Sequence, residues 1–246
     1  MQSYTRRQLK QDQFAVATKD AVHWTVEHRN TIIVALVVLG VIAVGALGGY
    51  AYIQKQNDVA SLEYGAAMRI YTSALRSKDA PVTPDEQTFT SAGDRAKAAY
   101  TKFSSIAERY GMTATGKMAR YMTGVTAMEA GDNKTAEEAL KKAESGGKEV
   151  AALAKFALAS LYRSTNRESD AIKMYREIID LEASTVPKAT AQLELAALYE
   201  SEKNNGEAAK LYQDLKKNSS KESGLQEVAD AKLKLLQGES ATPVKK

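Results

Sequence analysis

From Thr31 to Ile53 the chain carries 23 consecutive residues without a charge, TIIVALVVLGVIAVGALGGYAYI. At about 1.5 Å per residue, a helix of this length crosses the roughly 30 Å hydrocarbon core of a bilayer. A retained anchor is the expectation. A cleaved signal would carry an apolar stretch of about 7–15 residues close to the start, whereas this run begins after thirty largely polar residues. Cleavage near the small residues Gly49 and Ala51 stays open as the alternative. Trp24 before the run, and Tyr50 and Tyr52 at its far end, suit the two headgroup interfaces.

Local charge does not set the topology: Lys19 and Arg29 precede the run, and Lys55 and Arg69 follow it. Arg6, Arg7 and Lys10 add basic charge to a short N-terminal segment, and a long C-terminal domain crosses a membrane largely regardless of its own charge. The expectation is an N-terminus inside and a C-terminal domain outside. Gly45 and Gly49 stand four apart and share one face, where a neighbouring transmembrane helix from a partner or a second copy can approach. Glycine is also simply frequent in membrane helices, and both readings stand. Upstream, Leu9, Phe14, Ala17, Ala21 and Trp24 form a loosely spaced apolar stripe, either an amphipathic helix on the cytoplasmic face or a disordered segment.

Only five of the 34 Lys and Arg residues and three of the 30 Asp and Glu residues precede residue 54, so the remainder is nearly balanced. Charge therefore gives no indication of nucleic-acid binding. Cysteine is absent, which removes disulfides, thiolate metal sites and a cysteine nucleophile. Both histidines, His23 and His28, lie before the apolar run, so the C-terminal domain has no imidazole for catalysis or metal binding. No glycine-rich phosphate loop occurs. Carboxylates such as Glu137, Glu138, Glu168 and Asp170 fall in or near first turns of helices, where they complement the macrodipole. The expectation is a protein that is not an enzyme and binds no cofactor or metal.

After the apolar run the chain reads as helix almost throughout, interrupted by turn signals at Pro81 and Pro84, Gly111, Gly131-Asp132-Asn133, Gly146-Gly147 and Asn204-Asn205-Gly206. These recur with periods of 35 and then 37 residues. In a first helix, Gly124, Ala159 and Ala196 correspond, as do Ala127, Tyr162 and Tyr199. In a second helix the equivalent sets are Ala136, Ala171 and Ala208, then Leu140, Tyr175 and Tyr212, then Ala143, Ile178 and Leu215. Ala96, Tyr100 and Phe103 repeat the second-helix pattern once more, implying a degenerate repeat over residues 62–110.

Over residues 117–216 this pattern resembles the tetratricopeptide repeat, in which small positions let paired helices pack closely and an aromatic fills the gap to the next repeat. The consensus tryptophan is replaced by Arg120, Lys155 and Gln192, and the closing proline is missing or displaced to Pro187. The expected fold is all-α, a single N-terminal transmembrane helix followed by a TPR-like α-solenoid of helix hairpins. Its divisions would be a polar segment 1–30, the span 31–53, a helical linker and proline loop 54–88, the solenoid with a capping helix 89–237, and a disordered tail 238–246. The capping helix is expected over Leu225–Leu236.

In that family the first helices line a concave groove. Carrying its positions over gives Met118, Tyr121, Met122, Val125 and Met128 from the first clear repeat, Phe156, Ser160 and Arg163 from the second, and Leu193, Glu194, Ala197 and Glu200 from the third. The groove would be apolar at one end and polar at the other. Flexible, polarizable methionine suits a surface that accepts varied apolar segments, and equally suits a core that fills irregular gaps. The family's clamp for a chain-terminal carboxylate uses Lys, Arg and Asn, where this chain has Tyr121, Val125, Phe156 and Ser160.

Taken over its whole length, a polar start, one membrane helix ending in Gly-Gly-Tyr, a helical linker and a degenerate TPR domain, the chain resembles the YfgM family of bacterial inner-membrane proteins. The resemblance implies a single-pass inner-membrane protein, cytoplasmic at its N-terminus and periplasmic in its C-terminal domain. It also implies an ancillary subunit of the Sec translocon, with translocon subunits, periplasmic chaperones or client segments as partners, and lipid around one anchor. The rival expectation is a TPR receptor or assembly scaffold with a cytosolic domain anchored at a membrane surface.

Overall fold

The computed structural model describes residues 24, 26–77, 87–182, 184–218 and 224–240. His23, the stripe residues Leu9, Phe14, Ala17 and Ala21, the loop prolines Pro81 and Pro84, and the tail from residue 241 fall outside them. Among the described residues there are nine α-helices and no strand: α1 Arg29–Tyr71, α2 Ala92–Arg109, α3 Ala114–Glu129, α4 Asn133–Ala143, α5 Lys148–Ser164, α6 Glu168–Ile179, α7 Lys188–Ser201, α8 Asn205–Asn218 and α9 Leu225–Ser240. The chain divides into two compact units, Met1–Lys55 and Gln56–Lys246.

Within the first unit, α1 is long and apolar enough to cross a membrane, and none of its most apolar stretch is buried. At its start Trp24 stacks on His28 with ring centroids 4.8 Å apart.

Within the second unit, Gln56–Tyr71 is helical throughout, as the helical linker expected from sequence, and it continues from the apolar run without a break. Its polar beginning, Gln56-Asn57-Asp58, is compatible with helix, and the turns that follow bury Ala60 and Ala67. They pack on α2 through Ala99, Phe103 and Ile106, with Tyr64 against the Phe103 ring at 5.2 Å. This is the degenerate repeat. Backbone bonds from Arg76 N to Phe89 O (2.9 Å) and from Phe89 N to Ala74 O (3.2 Å) join the two ends of the segment between its helices.

Three clear hairpins follow, α3 with α4, α5 with α6 and α7 with α8, and α9 packs on α8 as the terminal helix. Every residue in the five aligned sets is buried, from Gly124 to Leu215. The smallest positions explain how closely the helices approach: a methyl added at Gly124 would lie 2.5 Å from Leu140 Cγ. Larger residues fill the spaces between hairpins, and Tyr175 and Tyr212 are completely or almost completely buried.

The turn within each hairpin is built the same way. Gly131 (φ 85°), Asn166 (φ 56°) and Lys203 (φ 61°) are equivalent and all left-handed. The next amide reaches back across the turn, from Asp132 N to Ala127 O (2.9 Å), Arg167 N to Tyr162 O (2.8 Å) and Asn204 N to Tyr199 O (2.8 Å). This is the bonding of a helix C-cap that reverses the chain. The third turn therefore lies at residues 202–204, and Asn205 and Gly206 already belong to α8. Pro187 stands at the N-cap of α7, so it opens a repeat instead of closing one. The final helix runs to Ser240, beyond the Leu236 and residue 237 limits expected from sequence, and buries Ala229 and Leu236.

Polar bridges join successive hairpins. Glu137 on α4 accepts from the Tyr162 hydroxyl (3.1 Å), Arg167 (2.7 Å) and Lys141 (2.7 Å), and Arg176 on α6 donates to the Tyr199 hydroxyl (2.7 Å). Lys141 and Arg176 are register equivalents, as are Tyr162 and Tyr199; the first pair is joined through Glu137, whereas Arg176 reaches Tyr199 directly.

Candidate partner groove on the first helices

The first helices of the three clear hairpins are α3, α5 and α7, which carry all twelve groove residues expected from sequence. Their burial separates them. Met122 is 8% exposed and belongs to the core formed with Ala99, Phe103 and Ile106, so its side chain supports the surface from beneath. Met118 is half-buried against Ala143, Val150 and Ala154. Val125, Met128, Phe156 and Leu193 are half-buried and pack on the main core.

Tyr121 is the joint of this surface. It is half-buried and touches all three apolar clusters of the second unit. Burial raises the pKa of its phenol, and the half-buried Tyr64 phenol is raised in the same way. Phe156 meets Tyr175 edge-on, with centroids 5.8 Å apart and rings at 70°, the geometry that aromatic quadrupoles favour.

The polar end of the surface is cross-linked. Arg163 on α5 donates to Glu194 on α7 at 2.8 Å, and Lys232 on α9 donates to Glu200 on α7 at 2.7 Å. Burial first, and the neighbouring Glu200 carboxylate with it, raise the pKa of the Tyr212 phenol. Ser160 and Ala197 are half-buried. The Tyr175 hydroxyl is buried, and among the described residues it has no hydrogen-bond partner; Ser160 is near it but outside bonding geometry. These groups can pair with one another or exchange onto a polypeptide.

No expected groove residue lines either of two cavities elsewhere in the second unit. One, of about 560 Å³, lies between α2 and α4 and includes Arg120 and Lys142. The other, of about 400 Å³, lies between α1 and α2 beside the Glu63–Arg109 ion pair. The first cavity was missed in sequence, although the replacement of the consensus tryptophan by Arg120 was its available signal. At Gly45 and Gly49 an added methyl would meet nothing within 4 Å, so both present open surface. Among the described residues, no group of three or more His, Asp or Glu side chains is placed to hold a metal ion.

No curated protein matches the chain significantly. A family model described as a tetratricopeptide repeat-like domain matches residues 23–181, from before the apolar run to the end of the second clear hairpin. That match covers well over half of the sequence, and with the hairpin geometry it establishes that the chain belongs to the tetratricopeptide repeat-like domain family.

Proposed function

We propose that this protein is a single-pass membrane scaffold whose first-helix groove holds a protein partner beside a membrane complex. The finer reading is an ancillary subunit of the Sec translocon, with its solenoid in the periplasm among chaperones and emerging clients. Tetratricopeptide-like solenoids serve protein–protein interaction, and the half-buried Met118, Tyr121, Val125, Met128 and Phe156 offer an apolar surface for it.

The observation that carries the membrane part is the bare apolar face of α1. From Ile33 to Leu47, ten large aliphatic side chains are each more than half exposed. At about 1.5–3 kcal/mol for each side chain moved from water, lipid would recover on the order of 15–30 kcal/mol. Gly45 and Gly49 leave room on this helix for a neighbouring span. The tetratricopeptide-like, all-helical fold favours a scaffold over an enzyme.

Mild crosslinking of native membranes, purification of the full chain and mass spectrometry of its companions test this reading. Translocon subunits and periplasmic chaperones are expected. A cysteine placed near Lys246 should react with an impermeant thiol reagent in intact cells. Recovery of cytosolic proteins with a protected cysteine would overturn the periplasmic role and leave a scaffold that faces the cytosol.

A further inference from the structure

The three clear hairpins provide an internal comparison at one position. Arg120, Lys155 and Gln192 are equivalent on the first helices, and Lys142, Glu177 and Asp214 are equivalent on the second. In the second hairpin, Lys155 and Glu177 form an ion pair. In the third, Gln192 is neutral and buried. In the first, the corresponding two residues are both cations, and both line the cavity of about 560 Å³ between α2 and α4.

Arg120 is partly buried, and its guanidinium lies against Gly111, where an added methyl would meet Nη2 at 2.6 Å. Among the described residues, neither Arg120 nor Lys142 has a side-chain hydrogen bond or ion pair to a protein acceptor. The Arg120 guanidinium, partly buried and without a protein acceptor, offers several donors to a ligand in the cleft, and a carboxylate is the group that satisfies them in pairs. Glu108 and Glu138 line the same cavity from exposed positions without pairing to either cation. They repel a polyanion such as nucleic acid, and they accept a basic group beside the bound carboxylate.

We infer that this cleft is a second protein-binding site, which takes one aspartate or glutamate side chain from a mixed-charge segment of a partner polypeptide. The missing anion of the first hairpin is supplied in trans, where the second hairpin supplies Glu177 itself. Its volume lies in the range of sites that enclose a small ligand. At 100° per residue, Arg120 and Thr123 fall on the side of α3 away from Met118, Met122 and Val125. The cleft can therefore be filled independently of the groove, and it stands whether or not the groove binds.

The test uses the full chain in lipid nanodiscs and three short peptides, with binding followed by thermophoresis. One peptide is blocked at both ends and has a central glutamate between two lysines. The second replaces that glutamate by glutamine. The third keeps the glutamine and has a free terminal carboxylate. The glutamate peptide should bind, and the blocked glutamine peptide should not. Lys142→Glu, which copies the ion pair of the second hairpin, and Arg120→Gln, which copies the third, should each weaken binding about tenfold or more. Lys142→Glu should leave the melting temperature unchanged or higher. Absence of binding by the glutamate peptide, equal binding by both blocked peptides, or undiminished affinity in both variants would overturn the inference. Binding by the free-carboxylate peptide alone would overturn it too, because the site would then read a chain terminus.

Discussion

Replacing Gly124 by alanine tests the closest helix contact in the solenoid. The added methyl would lie 2.5 Å from Leu140 Cγ, 2.7 Å from Cδ2 and 3.2 Å from the Leu140 backbone nitrogen. Carbon atoms rest at about 3.5–4.0 Å, so roughly 1 Å must be found by separating α3 from α4 or rotating Leu140. Rotation is obstructed, because Leu140 is fully buried and joins the main core. Overpacking of this kind costs about 1–3 kcal/mol, while glycine to alanine in a helix returns at most about 1 kcal/mol. Contacts of 2.5 and 2.7 Å put the cost in the upper half of that range, so the expected net loss is about 1–2 kcal/mol, or about 2–8 °C in melting temperature for a domain of this size. Circular dichroism melts of the full chain in detergent would measure it. Gly65→Ala is the control: that site is also helical, has nothing within 4 Å of an added methyl, and should gain up to about 1 kcal/mol. A melting temperature for Gly124→Ala equal to or above that of the parent would refute the tight-approach argument.

Three further outcomes follow from the same geometry. Lys203 holds the left-handed turn position that Gly131 and Asn166 occupy in the preceding hairpins, so Lys203→Gly should stabilise the chain by about 1 kcal/mol in chemical denaturation, and a loss would contradict that. Tyr175→Phe removes a buried hydroxyl without a partner and should be neutral or stabilising, whereas Tyr162→Phe removes a bond to the Glu137 carboxylate and should cost about 1.5–3 kcal/mol; equal effects in paired melts would refute the assignment. Lys141 first, and Arg167 and Tyr162 with it, hold the Glu137 carboxyl below the usual glutamate range. That contribution is present above about pH 4.3, the unfolded value, and is lost as pH falls through the lower folded value. Glu137→Gln should therefore destabilise at pH 7 and lose that effect progressively as pH falls below about 4.3, and a difference between the two melts that stays constant through the acid range would count against it.

The hairpins were legible because their spacing repeats a physical requirement. Wherever two helices must approach, the register calls for Gly or Ala, and wherever a gap opens to the next hairpin it calls for Leu or Tyr; all five aligned sets are buried. Helix after the apolar run was legible, but not that it continues from the span as one unbroken helix to Tyr71. Gln54 to Asp58 follows the apolar run with residues that suit loop and helix alike, and a tertiary contact, Thr115 N donating to the Asn57 side-chain oxygen Oδ1 (3.0 Å), helps give Asn57 its place. Sorting core from surface also needed structure, since Met118 and Met122 stand one helical turn apart and α3 has neighbours on several sides. Pairings such as Arg163 with Glu194 and Lys232 with Glu200 bridge 31 and 32 residues, distances over which helical spacing says nothing.

The central claim is that the first-helix face holds a protein partner at the membrane. A photoreactive side chain placed at Val125, Phe156 or Leu193, in native membranes and followed by irradiation, tests it most directly against the exposed positions Lys173 on α6 and Lys210 on α8. Discrete adducts with the same protein from the three groove positions, absent from the two controls, are predicted. Adducts only from the controls, or no preference between the faces, would contradict the account.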